Sequence, residues 1–293
     1  MQLEDGVMQD PGRGAVVVTG ASTGIGKACA LELDRRGYWI FAGVRSEEAA
    51  QRLRAEGSPR LATLRLDVTD AESIAATAAE VAEKVGGVGL AGLVNNAGIC
   101  VAGPLEFVPL AELRRQFEVN VIGAMAMTQA MLPPLRTAGG RIVNISSISG
   151  RVAAPYLGPY AASKHALEAL SDALRSELRR WGIRVSLVEP GTVDTPIWQK
   201  SRAASDVLAE QMRPEQYALY AQDIEALHRS TDEMARRAMP VDKVVRAVTH
   251  ALTSRRPRTR YPVGLDARLT MFLLQFLPDR ARDRLVRRSL HLD

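Results

Sequence analysis

The stretch Ala15–Gly26 reads AVVVTGASTGIG and decides the fold of this 293-residue chain. Its first part, Ala15–Thr19, is apolar and mostly β-branched, which favours a buried strand. Glycines follow, and a helical stretch at Gly26–Arg36 comes next. Glycines in such a turn let the backbone approach a phosphate closely, and the helix N-terminus presents unpaired N–H groups to it. The stretch predicts a dinucleotide-binding crossover, and an ordinary glycine-rich turn is the alternative.

Short apolar runs alternate with longer amphipathic stretches along the rest of the chain. Gly37 ends the first helix, and an alanine-rich helix is predicted at Glu72–Val85. Repeated strand–helix–strand order with nearly continuous apolar strands is typical of a parallel sheet covered on both faces. We therefore predict an α/β protein with a single-domain, doubly wound Rossmann fold and a parallel sheet of about seven strands. After the first, the predicted strands are Tyr38–Val44, Leu61–Leu66, Leu90–Asn95, Arg141–Ser146, Arg184–Glu189 and Tyr261–Gly264.

No composition break marks a second domain. We predict a flexible leader over residues 1–13, one domain over 14–265 that includes a long, irregular substrate lid over 195–241, and a C-terminal helical extension over 266–293. The polar, acidic start lacks the charged-then-apolar order of a signal peptide. No apolar run reaches the ~18 residues that span a bilayer. A cytoplasmic protein is expected, and peripheral membrane contact stays open.

Composition sets wide bounds on function. Net charge is +5, and such a mild basic excess suits nucleic acid, a membrane surface or an anionic cofactor without choosing among them. Nucleic acid is not predicted, because the arginine run Arg255–Arg260 lacks interleaved aromatic residues. Cys29 and Cys100 form no CxxC pair and are expected to be buried. The four histidines lie without metal-ligand spacing, so no metal is predicted.

Four short motifs follow the first strand in a fixed order along the chain. The glycines read TGxxxGxG, an NNAG motif lies at Asn95–Gly98, a YxxxK motif joins Tyr160 to Lys164, and a PG motif lies at Pro190–Thr195. In this order the motifs resemble the short-chain dehydrogenase/reductase family, in its short single-domain branch, over roughly residues 14–265. The overall look is similar to the steroid and retinol dehydrogenase members. The resemblance implies a nicotinamide-dependent oxidoreductase acting on an alcohol or a carbonyl.

The resemblance also assigns cofactor contacts. Asp67 would meet the adenine amino group, Asn96 would tie the central strands together, and Pro190 would flank the nicotinamide. Val68, Ala97 and Gly98 would lie near the adenosine half, and Val193 and Thr195 would hold the carboxamide. The candidate cofactor-binding residues are Gly20, Ser22, Thr23, Gly24, Ile25, Gly26, Arg45, Asp67, Val68, Asn96, Ala97, Gly98, Tyr160, Lys164, Pro190, Gly191, Val193 and Thr195.

The end of the second strand bears on the choice of nicotinamide cofactor. An acid at that tip would bind the ribose 2′-hydroxyl and favour NAD(H). Here the strand is followed by Arg45, and Glu47 and Glu48 come later. A guanidinium suits bidentate contact with a 2′-phosphate, so we predict NADP(H). A solvated loop charge at Arg45, with NAD(H) as cofactor, is the alternative.

Tyr160 and Lys164 are four residues apart and therefore share one face of a helix that runs to about Arg180. Hydride transfer at a carbonyl carbon requires a proton at the oxygen, and a free tyrosine, with a pKa near ~10, is a poor base at neutral pH. A nearby ammonium and a positive nicotinamide would lower that pKa. Tyr160 is therefore the predicted general acid/base. By resemblance, Lys164 also binds the nicotinamide ribose, Ser147 stabilises the substrate oxygen, and Asn120 supports a relay water.

The predicted substrate is a small hydrophobic alcohol or ketone, because the lid carries Trp198, Tyr217 and Tyr220 among its charges. Packing between helices is the alternative role for these residues. Two rival functions on the same fold are a non-catalytic NAD(P)-binding sensor and a sugar-nucleotide epimerase or dehydratase. The complete set of four catalytic positions speaks against the sensor. A homodimer or homotetramer, formed through the helices after Pro104 and Tyr160, is expected from the resemblance.

The tail has three interpretations. Leu269–Leu277 is strongly apolar, Pro278 ends it, and arginines alternate with apolar residues from Arg280 to Leu290. An apolar helix followed by a basic amphipathic one suits an anionic membrane surface. The same pattern suits a cover for the substrate pocket or a contact with a partner subunit. A membrane-docked interaction protein is a third rival function, and it rests on this tail alone.

Overall fold

The seven predicted strands are confirmed in the computed structural model, which describes residues 13–264 and 276–292. Each observed strand matches its prediction within one residue at either end. All neighbouring strands are parallel, in the order β3-β2-β1-β4-β5-β6-β7. The strands are β1 (Ala15–Val18), β2 (Trp39–Val44), β3 (Leu61–Arg65), β4 (Leu90–Asn95), β5 (Arg141–Ile145), β6 (Arg184–Pro190) and β7 (Arg260–Val263).

Helices connect the strands and cover both faces of the sheet, as the Rossmann prediction requires. A π-helical turn, Glu118–Ile122, joins the fourth helix to the fifth. The described helices are α1 (Gly24–Arg35), α2 (Glu47–Glu56), α3 (Ala71–Val85), α4 (Leu110–Phe117), α5 (Gly123–Ala138), α6 (Gly158–Glu177), α7 (Pro196–Glu210), α8 (Pro214–Arg236), α9 (Asp242–Thr253) and a terminal helix (Asp279–Ser289).

Two hydrophobic layers hold these helices against the sheet. Alternate residues of β1 show the division: Val16 and Val18 pack into one layer, and Ala15 and Val17 into the other. The first layer contains apolar residues of α1, α2 and α9, and the second contains those of α3, α5 and α6. All four β1 side chains are fully buried, which explains why a doubly covered strand has an unbroken apolar sequence.

The strand order places the site. β1 lies between β2 and β4. The β1–β2 connection through α1 and the β3–β4 connection through α3 therefore lie on opposite faces of the sheet. A crevice forms at this switch point, outside the carboxyl ends of the strands. The predicted glycine loop follows β1, Arg45 follows β2, and Ser147 follows β5. The topology therefore brings residues that are distant in sequence to one edge of the sheet.

The expectation of an irregular lid was wrong. Residues 196–236 form two helices, α7 and α8, and each begins at a proline. Proline fits the first helical turn because its missing N–H would be unpaired there in any case. The leader up to residue 12 and the apolar segment Leu269–Gln275 lie outside the described residues. Within the described ranges, no helix combines the length and apolarity needed to cross a membrane.

Candidate active site

The glycine loop after β1 is tightly closed against the loop after β4. Gly20 has a φ of +64° and Gly24 a φ of +57°, a left-handed region that glycine adopts without strain. A Cβ at Gly26 would lie 2.4 Å from the carbonyl oxygen of Gly20 and 2.3 Å from Asn96 Nδ2. No side chain larger than hydrogen fits there without a shift of the loop.

Asn96 links the ends of the two central strands. Its Nδ2 donates to the carbonyl oxygens of Thr19 (2.9 Å) and Gly20 (3.1 Å). Thr19 Oγ1 in turn accepts from the backbone N–H groups of Asn96 and Ala97, each at 3.0 Å. The contacts agree with the tie between strands that the family resemblance implied for Asn96. They leave the loop shaped as a cradle for a phosphate beside the N-terminus of α1.

A cleft of about 390 Å³ opens above this cradle. Its walls come from the carboxyl ends of six strands, which is where a doubly wound fold binds nucleotides. Of the predicted cofactor residues, only Gly26 lies behind the wall, where it supports the loop. The others line the cleft: Gly20, Ser22, Thr23, Gly24, Ile25, Arg45, Asp67, Val68, Asn96, Ala97, Gly98, Tyr160, Lys164, Pro190, Gly191, Val193 and Thr195. The donor set and the glycine cradle fit a nicotinamide dinucleotide.

Arg45 and Asp67 flank the adenosine end of the cleft. Asp67 Oδ1 accepts from the backbone N–H of Thr69 at 2.9 Å and from its hydroxyl at 2.7 Å. These hydrogen bonds, with a smaller contribution from the charge of Arg45, lower the pKa of Asp67. Arg45 itself is exposed and pairs with no carboxylate of the described residues. Its guanidinium is therefore available to an anion at the mouth of the cleft.

Tyr160, Ser147 and Lys164 meet at the floor of the cleft. The Ser147 side chain lies close enough to the Tyr160 hydroxyl to act on its pKa, and both side chains line the cleft. Lys164 Nζ lies 5.6 Å from the centroid of the Tyr160 ring and donates to the carbonyl oxygen of Ile145 at 2.8 Å. Between 5% and 8% of each of the three residues is exposed. The Ser147 hydroxyl, the Lys164 ammonium and the Tyr160 phenol therefore lie together in a part of the cleft that largely excludes water.

Burial governs the charge states of this corner. It raises the pKa of Tyr160 above its ordinary value, with Cys100 adding to the rise and Ser147 opposing it. Burial also lowers the pKa of Lys164 to about 8, while Cys100 and Glu168 oppose that shift. In the protein alone, the expected lowering of the Tyr160 pKa by Lys164 is therefore outweighed by desolvation. Tyr160 is a neutral phenol, the form that a proton donor needs.

Asn120 lies in the π-helical turn rather than in a regular helix, and 1% of it is exposed. Its Oδ1 accepts from the backbone N–H of Ile99 at 2.9 Å. Its Nδ2 donates to the Ile99 carbonyl oxygen at 3.1 Å and to the Ser163 hydroxyl at 3.1 Å. Ser163 directly precedes Lys164. Asn120 thus fixes the α6 turn that carries Lys164, and π turns recur at functional sites for such reasons.

α7 contributes Ile197 and Trp198 to the wall of the cleft. α8 packs farther out against the loop before Tyr160. There the rings of Tyr156 and Tyr220 meet edge to face at 6.3 Å, and the Tyr156 hydroxyl donates to Asp223. Leu290, near the end of the chain, belongs to the same apolar cluster as Tyr156. The described part of the tail therefore packs on the lid.

The sequence analysis did not identify several residues of the cleft wall. They include Arg115, which lies one turn before Val119, and Cys100, whose thiol contacts the Ser201 side chain of α7. Burial raises the pKa of Cys100 to about 11, so it is a neutral thiol. Arg115 and Val119 are four residues apart and share one face of a helix, which was the sequence pattern that could have linked them. The lining residues not singled out are Gly43, Val44, Leu66, Ile99, Cys100, Arg115, Val119, Ile145, Ser146, Pro196, Lys200, Ser201 and Ala204.

The fold and this cleft define a nucleotide-dependent oxidoreductase, and the comparisons name its family. A family model described as short chain dehydrogenase matches residues 14–206. The chain therefore belongs to the short-chain dehydrogenase family and is an NAD(P)-dependent oxidoreductase. The family resemblance drawn from the sequence motifs is confirmed.

Curated relatives cover nearly the whole chain. An NADPH-dependent 3-dehydrocapnine reductase of Ornithobacterium rhinotracheale is 35% identical over 94% of this chain and 96% of its own. A 17-beta-hydroxysteroid dehydrogenase type 6 of Bos taurus is 41% identical over 94% of this chain and 88% of its own. Retinol dehydrogenase 5 of Mus musculus is 38% identical over 92% and 86%, respectively. The steroid and retinol likeness is thereby confirmed.

Solved structures agree with the fold. A short-chain dehydrogenase from Streptomyces avermitilis superposes with a TM-score of 0.76 at 30% identity, over 95% of this chain and 96% of its own. One from Burkholderia cenocepacia, solved with NADP, has a TM-score of 0.70 at 27% identity over 94% and 96%. One from Burkholderia phymatum, solved with NAD, has a TM-score of 0.73 at 28% identity over 90% and 95%.

Proposed function

We propose that this protein interconverts a hydrophobic aldehyde or ketone and the corresponding alcohol with NADP(H) as its cofactor. The observation that carries the proposal is that three buried side chains, Ser147, Tyr160 and Lys164, line the same nucleotide cleft. A proton donor and a second hydroxyl converge there, at one end of the cleft. Arg45 is exposed at the opposite, adenosine end. That arrangement suits hydride transfer from a bound 2′-phosphorylated dinucleotide to a carbonyl carbon, with protonation of the carbonyl oxygen.

The bound nicotinamide supplies the hydride for reduction and accepts it in the reverse direction. Ser147 holds the carbonyl oxygen through its hydroxyl and stabilises the negative charge that develops there. Tyr160 donates its phenolic proton to that oxygen, which completes the alcohol. Lys164 places a positive charge beside the resulting phenolate. Asn120 keeps the turn before Lys164 in place through Ser163. In the oxidative direction the proton moves back to Tyr160.

NADP(H) rather than NAD(H) is favoured by Arg45, an exposed cation at the adenosine end of the cleft. The substitution Arg45→Asp is expected to shift the ratio of kcat/KM for NADPH to that for NADH by about 10- to 100-fold toward NADH, as loss of a charged hydrogen bond predicts. Steady-state kinetics with both cofactors measure this ratio. Arg45→Lys, which keeps the charge, should retain the preference. A wild-type enzyme that prefers NADH would contradict the assignment.

The lowered pKa of Lys164, about 8, predicts that activity declines on the alkaline side of the pH profile. Below that pH the side chain is an ammonium that stabilises the Tyr160 phenolate; above it, the neutral amine no longer does so. We expect kcat/KM for ketone reduction to fall as the pH rises through about 8. A profile from pH 6 to pH 10 at saturating NADPH measures this decline, and Lys164→Met should lack it. A wild-type profile that stays level through this range would contradict the role.

A hydrophobic substrate is favoured by the apolar side chains that α7 contributes to the wall, among them Ile197 and Trp198. Three carbonyl probes test it: all-trans-retinal, a 17-ketosteroid and a long-chain aliphatic ketone, each followed by NADPH oxidation. The first two are suggested by the names of the retinol and steroid dehydrogenase relatives. Turnover of at least one apolar probe, well above that of acetone, is expected. Turnover of none would refute the proposed function.

Assembly and location stay predictions. A homodimer or homotetramer through the helices after Pro104 and Tyr160 is supported by the family resemblance. Peripheral membrane contact through the tail is supported by the arginines of the terminal helix, among them Arg280 and Arg284. The packing of Leu290 on the lid supports the alternative in which the tail covers the substrate region. Deleting residues 269–293 and measuring sedimentation with anionic vesicles distinguishes these two roles.

A further inference from the structure

Two buried glutamates lie behind the catalytic residues. Glu189 is the residue of β6 just before Pro190, and none of it is exposed. Glu168 lies one turn after Lys164 on α6, and 5% of it is exposed. Charged groups this deeply buried are costly unless they are paired. Neither glutamate lines the cleft, and neither has a part in the reaction proposed above.

Two arginines pair with these glutamates from opposite sides. Arg151 Nε lies 3.1 Å from Glu189 Oε1 and 4.0 Å from Glu168 Oε2. Arg260, on β7, lies 3.0 Å from Glu168 Oε2 and 3.5 Å from Glu189 Oε1, and it also binds Asp172 at 2.7 Å. Arg260 thus shares its charge among three carboxylates. Arg151 is the partner whose Nε–H donates to Glu189.

Arg151 directly follows the short helical turn Ile148–Gly150, which Ser147 caps at its start. The backbone N–H of Gly150 donates to the Ser147 carbonyl oxygen at 2.9 Å, and that of Arg151 donates to Ile148 at 2.9 Å. The guanidinium therefore joins this turn to the end of β6 and to α6. These three elements carry Ser147, Pro190 and Lys164, respectively.

This turn also packs tightly against α6. A Cβ at Gly150 would lie 3.0 Å from Glu168 Cγ, 3.2 Å from the Lys164 carbonyl oxygen and 2.9 Å from Ser146 Oγ. A movement of Glu168 would therefore be passed to the Ser147 turn directly. Close-packed interiors transmit such displacements because they contain few voids to absorb them.

We propose that Arg151 and Glu189 are positioning residues whose ion pair holds the Ser147 turn in register with Tyr160 and Lys164. The inference rests on the function proposed above, because it assigns these residues to the geometry of that reaction. Neither side chain contacts the reacting atoms. Their contribution is to fix the Ser147 hydroxyl at the place where it meets Tyr160.

The charge balance makes Glu189 dependent on Arg151. Burial and the negative charge of Glu168 raise the pKa of Glu189 to about 7, while Arg151 and Arg260 oppose the rise. Without Arg151 one opposing charge is lost, so the pKa of Glu189 rises further and its carboxyl is more fully protonated at neutral pH. Removing the arginine therefore also reduces the charge of its partner. The two single substitutions should accordingly not be additive.

The test compares Arg151→Met, Arg151→Lys, Glu189→Gln and the double variant Arg151→Met/Glu189→Gln. Arg52→Met is the matched control, because Arg52 forms an exposed ion pair with Glu48 on α2, away from the cleft. NADPH affinity is measured from the fluorescence of the bound nucleotide. Turnover is measured with NADPH and whichever of the three carbonyl probes the wild-type enzyme reduces.

Arg151→Met is expected to lower kcat by about 30- to 100-fold, the order of loss that a misplacement of about 1 Å causes. The NADPH dissociation constant should change less than about threefold, since the phosphate cradle is untouched. Arg151→Lys should recover part of the loss, and the double variant should be no slower than Arg151→Met.

Three results would overturn the inference. One is an Arg151→Met enzyme with a kcat within twofold of wild type; another is a double variant whose loss is the full product of the single losses. The third is an Arg151→Met enzyme whose fold-loss in kcat is no larger than its fold-loss in NADPH affinity. If the wild-type enzyme reduces none of the probes, the proposed function fails, and this inference fails with it. If Arg151→Met does not fold, Arg151→Lys and Glu189→Gln apply the same criteria.

Discussion

Replacing Tyr160 by phenylalanine is expected to lower kcat by about 10³-fold, within the range that general acid–base catalysis supplies. The substitution removes one hydroxyl from a buried ring and leaves the shape of the cleft unchanged. Because burial keeps Tyr160 neutral, its proton is the one available to the substrate oxygen. Single-turnover and steady-state rates with a reducible carbonyl probe measure the loss. The NADPH dissociation constant should stay within about threefold of wild type, since the phosphate cradle is unaffected.

A matched control is Tyr38→Phe. Tyr38 is buried to a similar extent, at the start of β2 and away from the cleft, so its loss of a hydroxyl should leave kcat unchanged. A Tyr160→Phe enzyme with more than a tenth of wild-type turnover would refute the assignment of Tyr160 as proton donor. Equal losses in both variants would instead point to a general effect of removing a buried hydroxyl.

The second large effect is expected at Gly26, where alanine should weaken NADPH binding by about 100-fold. The added Cβ would lie 2.4 Å from the Gly20 carbonyl oxygen, which is backbone and cannot turn away. Overpacking of this kind costs about 1–3 kcal/mol, and each 1.4 kcal/mol is tenfold in affinity. Titration of nucleotide fluorescence measures the loss.

Gly87→Ala is the control for this substitution. A Cβ at Gly87 meets nothing within 4 Å, so the same chemical change should be neutral there. Thermal unfolding of both variants separates the local effect on the loop from a loss of the folded state. A Gly26→Ala protein that binds NADPH as wild type does would show that the glycine loop does not hold the phosphates.

Much of the fold followed from local pattern. The seven strands are short, rich in apolar residues and bounded by turns, so each could be placed within one residue. The lid could not be placed in this way. Its helices α7 and α8 interleave charged residues with apolar ones, and the lid was therefore interpreted as irregular. Pro196 and Pro214, each in a first helical turn, were available signals for helices that the sequence analysis did not use.

The site divides in a similar manner. The glycine-rich loop and the Tyr160–Lys164 spacing are relations along the chain, and their residues do meet at one cleft, together with Ser147. The partners of Asn120 are not such relations, since Ile99 is 21 and Ser163 is 43 residues away. No pattern in the sequence indicated the π turn that aims Asn120 at both.

By itself, the sequence determined the parallel sheet, the phosphate loop and the helical face shared by Tyr160 and Lys164. These depend on the period of apolar residues, the freedom of glycine and the pitch of a helix, all of which act over a few residues. Only the tertiary structure decided that Arg151 and Arg260 pair with two buried glutamates, Glu168 and Glu189, behind the site. It also decided that desolvation, and not Lys164, dominates the pKa of Tyr160. Both outcomes depend on which distant side chains exclude water together, and burial of that kind exists only once the chain has folded.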